Sequence, residues 1–285
     1  MSHHQTISGK WIARALALLI AVAALLTWAL LCLVFWQGSW QLLYHPTSSV
    51  TRTPASVGLQ FDSVSFSPDS AGIAQLHGWL IDAENNAPVN RSKWTVLYIH
   101  GATGNLGDTV DALESMHSTG VNVFAYDPRG YGESRFERPS EKKALEDVDA
   151  ALKYLTNTRH VAASSIIVMG NGLGADIALE FAANHKELAG VVVDEPQHNA
   201  TDAIFNDKRA KLVPAHWLVS DRYELADAAR KVRVPVLWLE REDVKGAEFE
   251  AVQTTKMRVF RTNKDELLWK KDEFGQVFAR WVDNL

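Results

Sequence analysis

Residues 15–36 read ALALLIAVAALLTWALLCLVFW, twenty-two positions with no charge and no proline. At 1.5 Å rise per residue such a helix is about 33 Å long, enough to cross a hydrocarbon layer of ~30 Å. Trp11 precedes the run, and Trp36, Trp40 and Tyr44 follow at its far end. Rings of that kind favour the headgroup region. Lys10 and Arg14 flank the N-terminal side, and the next charge is Arg52. The positive-inside rule then predicts a cytoplasmic tail at 1–14, a single-pass transmembrane helix at 15–36 and a linker at 37–56. Everything beyond is expected outside the cytoplasm, as on the periplasmic side of a bacterial inner membrane. A cleaved signal peptide fits less well, because its apolar stretch is typically ~7–15 residues and ends in small residues. Here the run ends in LVFWQGSW.

The 285 residues are 47% hydrophobic and 22% charged, which excludes a disordered or low-complexity chain. A formal charge of −5 gives no basic surface for nucleic acid, so no nucleic-acid partner is expected. Cys32 is the single cysteine; internal disulfides and Cys-based zinc sites are excluded. No H-E-x-x-H pattern occurs, so neither a metal nor another cofactor is expected.

From Trp94 onward, apolar strand-like segments alternate with amphipathic ones. Strands are predicted at 94–100, 121–127, 165–170, 190–194, 234–240 and 256–260, after an antiparallel pair at 59–66 and 73–81. Helices are predicted at 108–118, 141–157, 173–184, 246–254 and 271–284. In the last of these, Phe274, Val277, Phe278, Trp281 and Val282 recur every three to four residues as one apolar stripe. The pattern implies an α/β fold with a mostly parallel sheet covered by helices on both faces. Ligands in such sheets bind at the carboxyl ends of the strands.

One of those ends carries GNGLGA, Gly170 to Ala175. Taken alone, it matches the G-x-G-x-x-A turn that seats a pyrophosphate on a helix N-terminus, with Asp194 ending the next strand. Against this nucleotide-binding reading, two predicted parallel strands precede the turn, whereas the fingerprint belongs to the first βαβ unit.

The same turn occupies the place of the G-x-S-x-G nucleophile elbow. HGATGN (100–105), DPRGYGES (127–134), GNGLGADIALEFA (170–182), VDEP (193–196), DRYELADAARKVRVPVLWLE (221–240) and KDELLW follow one another in the expected order. With these segments, residues 57–285 resemble the membrane-anchored, BEM46-like branch of the α/β-hydrolase superfamily. The resemblance implies an α/β-hydrolase-fold domain and places the nucleophile at Gly172, the acid at Asp243 and the base at Lys264. Glu240 and Glu242 rival Asp243, because the chain reads LEREDV where the family has a glycine. It also implies a backbone oxyanion hole at Ala102 and Leu173.

Gly172 has no side chain to attack a carbonyl, and Lys264 is flanked by Asp265 and Glu266, which favour its protonated form. Asn171 and Asp176 are the nearest other oxygen-bearing side chains, while His198 and His216 lie in the irregular stretch after the 190–194 strand. His100 is expected to bond within its own loop, and Asp127, Arg129 and Glu133 to brace the strand ends. On these losses, the expectation is a degenerate triad and a non-catalytic pseudoenzyme with a binding or scaffolding role. Its partners would be the bilayer and either a protein or a small acyl or anionic ligand. The alternative is an esterase, thioesterase or peptidase with a non-standard site.

Overall fold

Eight strands form the central sheet of the computed structural model, which describes residues 8–67, 72–73, 75–244, 246–261 and 271–285. They are β1 (Asp62–Phe66), β2 (Leu76–Ile81), β3 (Thr95–Ile99), β4 (Asn122–Asp127), β5 (Ile166–Asn171), β6 (Gly190–Asp194), β7 (Val236–Arg241) and β8 (Lys256–Arg261). Their order across the sheet is β8-β7-β6-β5-β3-β4-β2-β1. β1 pairs antiparallel with β2, and β2 antiparallel with β4. All other pairings are parallel. This is the mostly parallel sheet of an α/β-hydrolase fold, with the antiparallel pair at one edge as the sequence predicts.

Both faces are covered, and the residue period of two sorts the core between them. Val96, Tyr98, Val123, Ala125, Ile167, Met169, Leu237 and Leu239 belong to one cluster with α2 (Val110–His117) and the C-terminal helix α6 (Lys271–Val282). The stripe Phe274, Val277, Phe278, Trp281 and Val282 is buried in that cluster in full. Their alternates Leu97, Phe124, Val168 and Trp238 have no exposed surface. On this face lie α3 (Glu141–Lys153), α4 (Leu173–Asn184) and α5 (Leu225–Lys231). β3 and β6 are buried at every position, which is why they read as continuous apolar runs rather than alternating ones. The helix predicted over 141–157 is regular only to Lys153; a π turn, Tyr154–Thr158, follows.

Two units are distinguished. One comprises Tyr44–Thr201 and Asp221–Leu285 and holds the sheet. The other comprises Met1–Leu43 and Asp202–Ser220. Within the latter, α1 (Gly9–Gly38) is capped by the Ser8 side chain, which accepts from Trp11 N. The helical stretch Gly9–Leu42 is long and apolar enough to cross a membrane, and only 6% of its most apolar window is buried. Within the sheet-bearing unit, His45–Pro46 pairs with Thr103–Gly104 as a two-residue parallel ladder, ahead of a single turn at Pro54–Val57.

Candidate active site

Close packing shapes the turn between β5 and α4. A Cβ on Gly170 would lie 2.0 Å from the Gly174 carbonyl oxygen, and one on Gly174 only 2.3 Å from that of Ile99. Those two glycines let the helix rest directly on the strands. Gly172 is glycine for a different reason. Its φ of 56° and ψ of −125° lie where residues with side chains are strained, yet a Cβ there would meet nothing nearer than Gln197 Nε2 at 3.9 Å. This is elbow geometry with the side chain removed. Gly172 N donates to Asp194 O at 2.9 Å, and Asn171 Nδ2 to Asp194 Oδ2 at 2.9 Å, tying the turn to the end of β6.

Gly172 opens onto a cleft lined also by Ala102, Asn171, Leu173, Glu195 and Gln197. Leu173 begins α4, so its N–H belongs to the positive end of a helix of 12 residues. The peptide that follows Ala102 is held: the Ala102 oxygen accepts from His45 N at 2.8 Å and from Tyr131 Oη at 2.9 Å. Asp176, in the first turn of α4, is buried; its Oδ1 accepts from Gln197 N at 3.0 Å, and burial pushes its carboxyl well above the ordinary range. It holds the 195–198 loop against the helix.

His100 is bonded within its own loop, with Nδ1 2.8 Å from Gly101 O and Nε2 3.3 Å from Asp127 Oδ1. The expected bracing residues act through separate partners. Asp127 accepts from Leu106 N, Arg129 pairs with Asp147 and Glu146, and Glu133 lies 3.2 Å from His77.

The three acids at the end of β7 differ in setting. Glu240 is buried, accepting from Trp238 Nε1 at 2.8 Å and from Arg258 Nε at 2.8 Å, so it is committed to the strand pair. Glu242 is exposed. Asp243 is exposed too, 3.3 Å from Arg241 Nε. Lys264, with Asp265 and Glu266, lies outside the described residues.

A pair that sequence reasoning missed stands beside the cleft loop. His198 Nδ1 is 2.8 Å from Glu248 Oε2, and both side chains are largely buried. The carboxylate accepts from Nδ1 and orients the ring. Nε2 is buried and has no hydrogen-bond partner among the described residues. A histidine oriented by an acid is the arrangement of a general base. The signal in the sequence was the histidine at 198 after VDEPQ; nothing marked Glu248. His216 stacks on Phe205 instead, ring centroids 4.1 Å apart.

Comparison with known proteins places this geometry. Residues 90–272 match the family model described as serine aminopeptidase, S33. The uncharacterized protein YfhR of Salmonella typhimurium is 30% identical over 69% of this chain and 68% of its own. The human alpha/beta hydrolase domain-containing protein 17C is 31% identical over 51% of this chain, though over only 42% of its own. An esterase of Pyrococcus furiosus shares the fold, with a TM-score of 0.63 at 19% identity over 85% of this chain and 97% of that one. These likenesses to hydrolases overturn the expectation of a non-catalytic scaffold and the label of pseudoenzyme. The physical reason is that an oxyanion hole and a binding cleft keep about 10³–10⁴-fold catalysis over water even in enzymes stripped of a triad member. In this chain the turn, the helix N-terminus and the cleft all persist without an elbow side chain. The chain belongs to the serine aminopeptidase S33 family of α/β-hydrolase-fold proteins.

Proposed function

We propose that this chain hydrolyses acyl esters, thioesters or peptides with water as the direct nucleophile, held where the elbow side chain would stand. One observation carries this reading: Gly172 keeps the elbow backbone angles while the direction of its missing Cβ opens onto free space. Gly172, Asp243 and Lys264 hold the family's nucleophile, acid and base positions, and Ala102 and Leu173 supply the oxyanion hole. In the reaction, water oxygen bonds to the carbonyl carbon as its proton passes to His198, whose loop borders the cleft through Glu195 and Gln197. The amides of Ala102 and Leu173 stabilise the oxyanion. The bond to the leaving oxygen, sulfur or nitrogen then breaks, the imidazolium returns the proton to that atom, and the carboxylic acid departs.

A second hollow of only about 30 Å³ is bordered by Ala102 and Leu173 and lined by Tyr44, Ile99, Ile177 and Tyr223, so it favours a short acyl part. Its walls are mostly apolar, which suits the acyl part of a substrate whose carbonyl lies at the amides. Supported by the length and apolarity of α1 and by Lys10 and Arg14 before it, the helix is read as a membrane anchor with the sheet-bearing domain outside the cytoplasm, the topology of a BEM46-like protein.

Hydrolysis of a short acyl ester, a short acyl thioester and an aminoacyl amide by the full-length chain in detergent tests the reading. Turnover of at least one is expected. Failure on all three by folded protein would overturn it.

A further inference from the structure

The segment Asp202–Ser220 carries surface features of its own. Leu212 is 62% exposed and Trp217 is 90% exposed, although both are large and apolar. Lys208 and Lys211 are exposed beside them, while Arg209 is occupied by Asp207 at 2.8 Å. The segment packs on α1: Leu31, Val34 and Phe35 of the helix line a small cleft with Arg209, Leu212 and Val213. Trp28 Nε1 donates to Leu212 O at 3.1 Å.

That hydrogen bond sets a depth. Trp28 stands ten residues before Gly38, the end of α1, or about 15 Å along the axis. The 15–36 apolar run ends eight residues, about 12 Å, beyond Trp28. With α1 across a hydrocarbon layer of ~30 Å, the Leu212 carbonyl therefore lies within the outer leaflet. A backbone carbonyl at that depth needs a protein donor, because lipid offers none, and the indole supplies it.

We propose that residues 208–218 form a second membrane contact, dipping into the outer leaflet of the bilayer that α1 crosses. Leu212 and Trp217 enter the acyl chains, and Lys208 and Lys211 meet anionic headgroups, the division expected of an interfacial segment. The occupant of this surface is lipid, because it is continuous with the apolar face of α1 and its cations lie beside its apolar side chains. The inference rests on reading α1 as an anchor.

The test uses the full chain with Cys32→Ala and one introduced cysteine carrying an environment-sensitive fluorophore. Positions are Leu212→Cys and Trp217→Cys, with Ala23→Cys as the anchor control and Lys153→Cys as the aqueous control. Each protein is placed in vesicles of phosphatidylethanolamine and phosphatidylglycerol, then quenched with brominated lipid or with aqueous iodide. Labels at 212, 217 and 23 should be quenched severalfold more by brominated lipid than by iodide, with the reverse at 153. Labels at 212 and 217 behaving like 153, with 23 quenched by lipid, would overturn the second contact and leave the anchor standing. Shielding of 212 and 217 from both quenchers would overturn it in favour of a protein contact. Absence of lipid quenching at 23 would remove the anchor and this inference with it.

Discussion

His198 Nδ1 and Glu248 Oε2, fifty positions apart in the chain, meet at 2.8 Å and leave the second imidazole nitrogen buried without a hydrogen-bond partner among the described residues. If that nitrogen takes the proton of the attacking water, His198→Gln lowers kcat by about 10²–10⁴-fold with KM little changed. Glu248→Gln should reduce kcat by a smaller factor, because the ring keeps a hydrogen-bond partner but loses the charge that stabilises the imidazolium. Steady-state kinetics on an ester substrate, with thermal unfolding as a folding control, checks both.

Gly172 tests the elbow directly. Gly172→Ala meets no atom within 3.9 Å but must adopt φ 56°, so it should destabilise the fold by roughly 1–3 kcal/mol and fill the place of the water. Gly172→Ser carries the same strain and adds a hydroxyl. It should acquire fluorophosphonate labelling at position 172, and His198→Gln in that background should abolish it. Gly174→Ala is a contrasting case: its Cβ would fall 2.3 Å and 2.5 Å from the Ile99 and His100 carbonyl oxygens, and the protein should fail to fold.

Leu173→Pro deletes one amide donor at a position, the first of α4, where proline suits the helix. The expected loss is about 10²–10³-fold in kcat, the usual effect of removing one oxyanion donor. Leu173→Ala, which keeps the N–H and loses buried side chain, should lose stability with far less loss of kcat.

Burial raises the Glu180 carboxyl to about 7, with the neighbouring Glu141 charge adding to the shift. Folded protein therefore holds a proton that the unfolded chain releases near its ordinary value of about 4.3. The stability contribution is full below that value and is lost as pH rises toward 7. Glu180→Gln should raise the Tm at pH 8 and leave it nearly unchanged at pH 4. Scanning calorimetry at the two pH values reads this.

The sheet and its helices were legible because their signals are local. The stripe of Phe274, Val277, Phe278, Trp281 and Val282 reads as a helix face and is buried as one. The glycines at 170, 172 and 174 read as a strand-to-helix turn and form one. Residues whose roles depend on distant partners were not legible. Glu240 and Asp243 are three positions apart, yet only the folded chain buries one between Trp238 and Arg258 and sets the other beside Arg241. Glu248 had no mark in the sequence because its meaning comes from His198. The inference of inactivity failed because it rested on two side chains at single positions, whereas the likeness to hydrolases extends over residues 90–272.

Hydrolysis by water alone leaves no covalent intermediate at Gly172. The most direct measurement is the rate of short-ester hydrolysis by the full-length protein before and after exposure to saturating fluorophosphonate, with intact mass recorded. The account predicts steady turnover, the same rate after exposure and an unmodified mass. A covalent adduct accompanied by loss of turnover, or no turnover from the folded protein at the start, would contradict it.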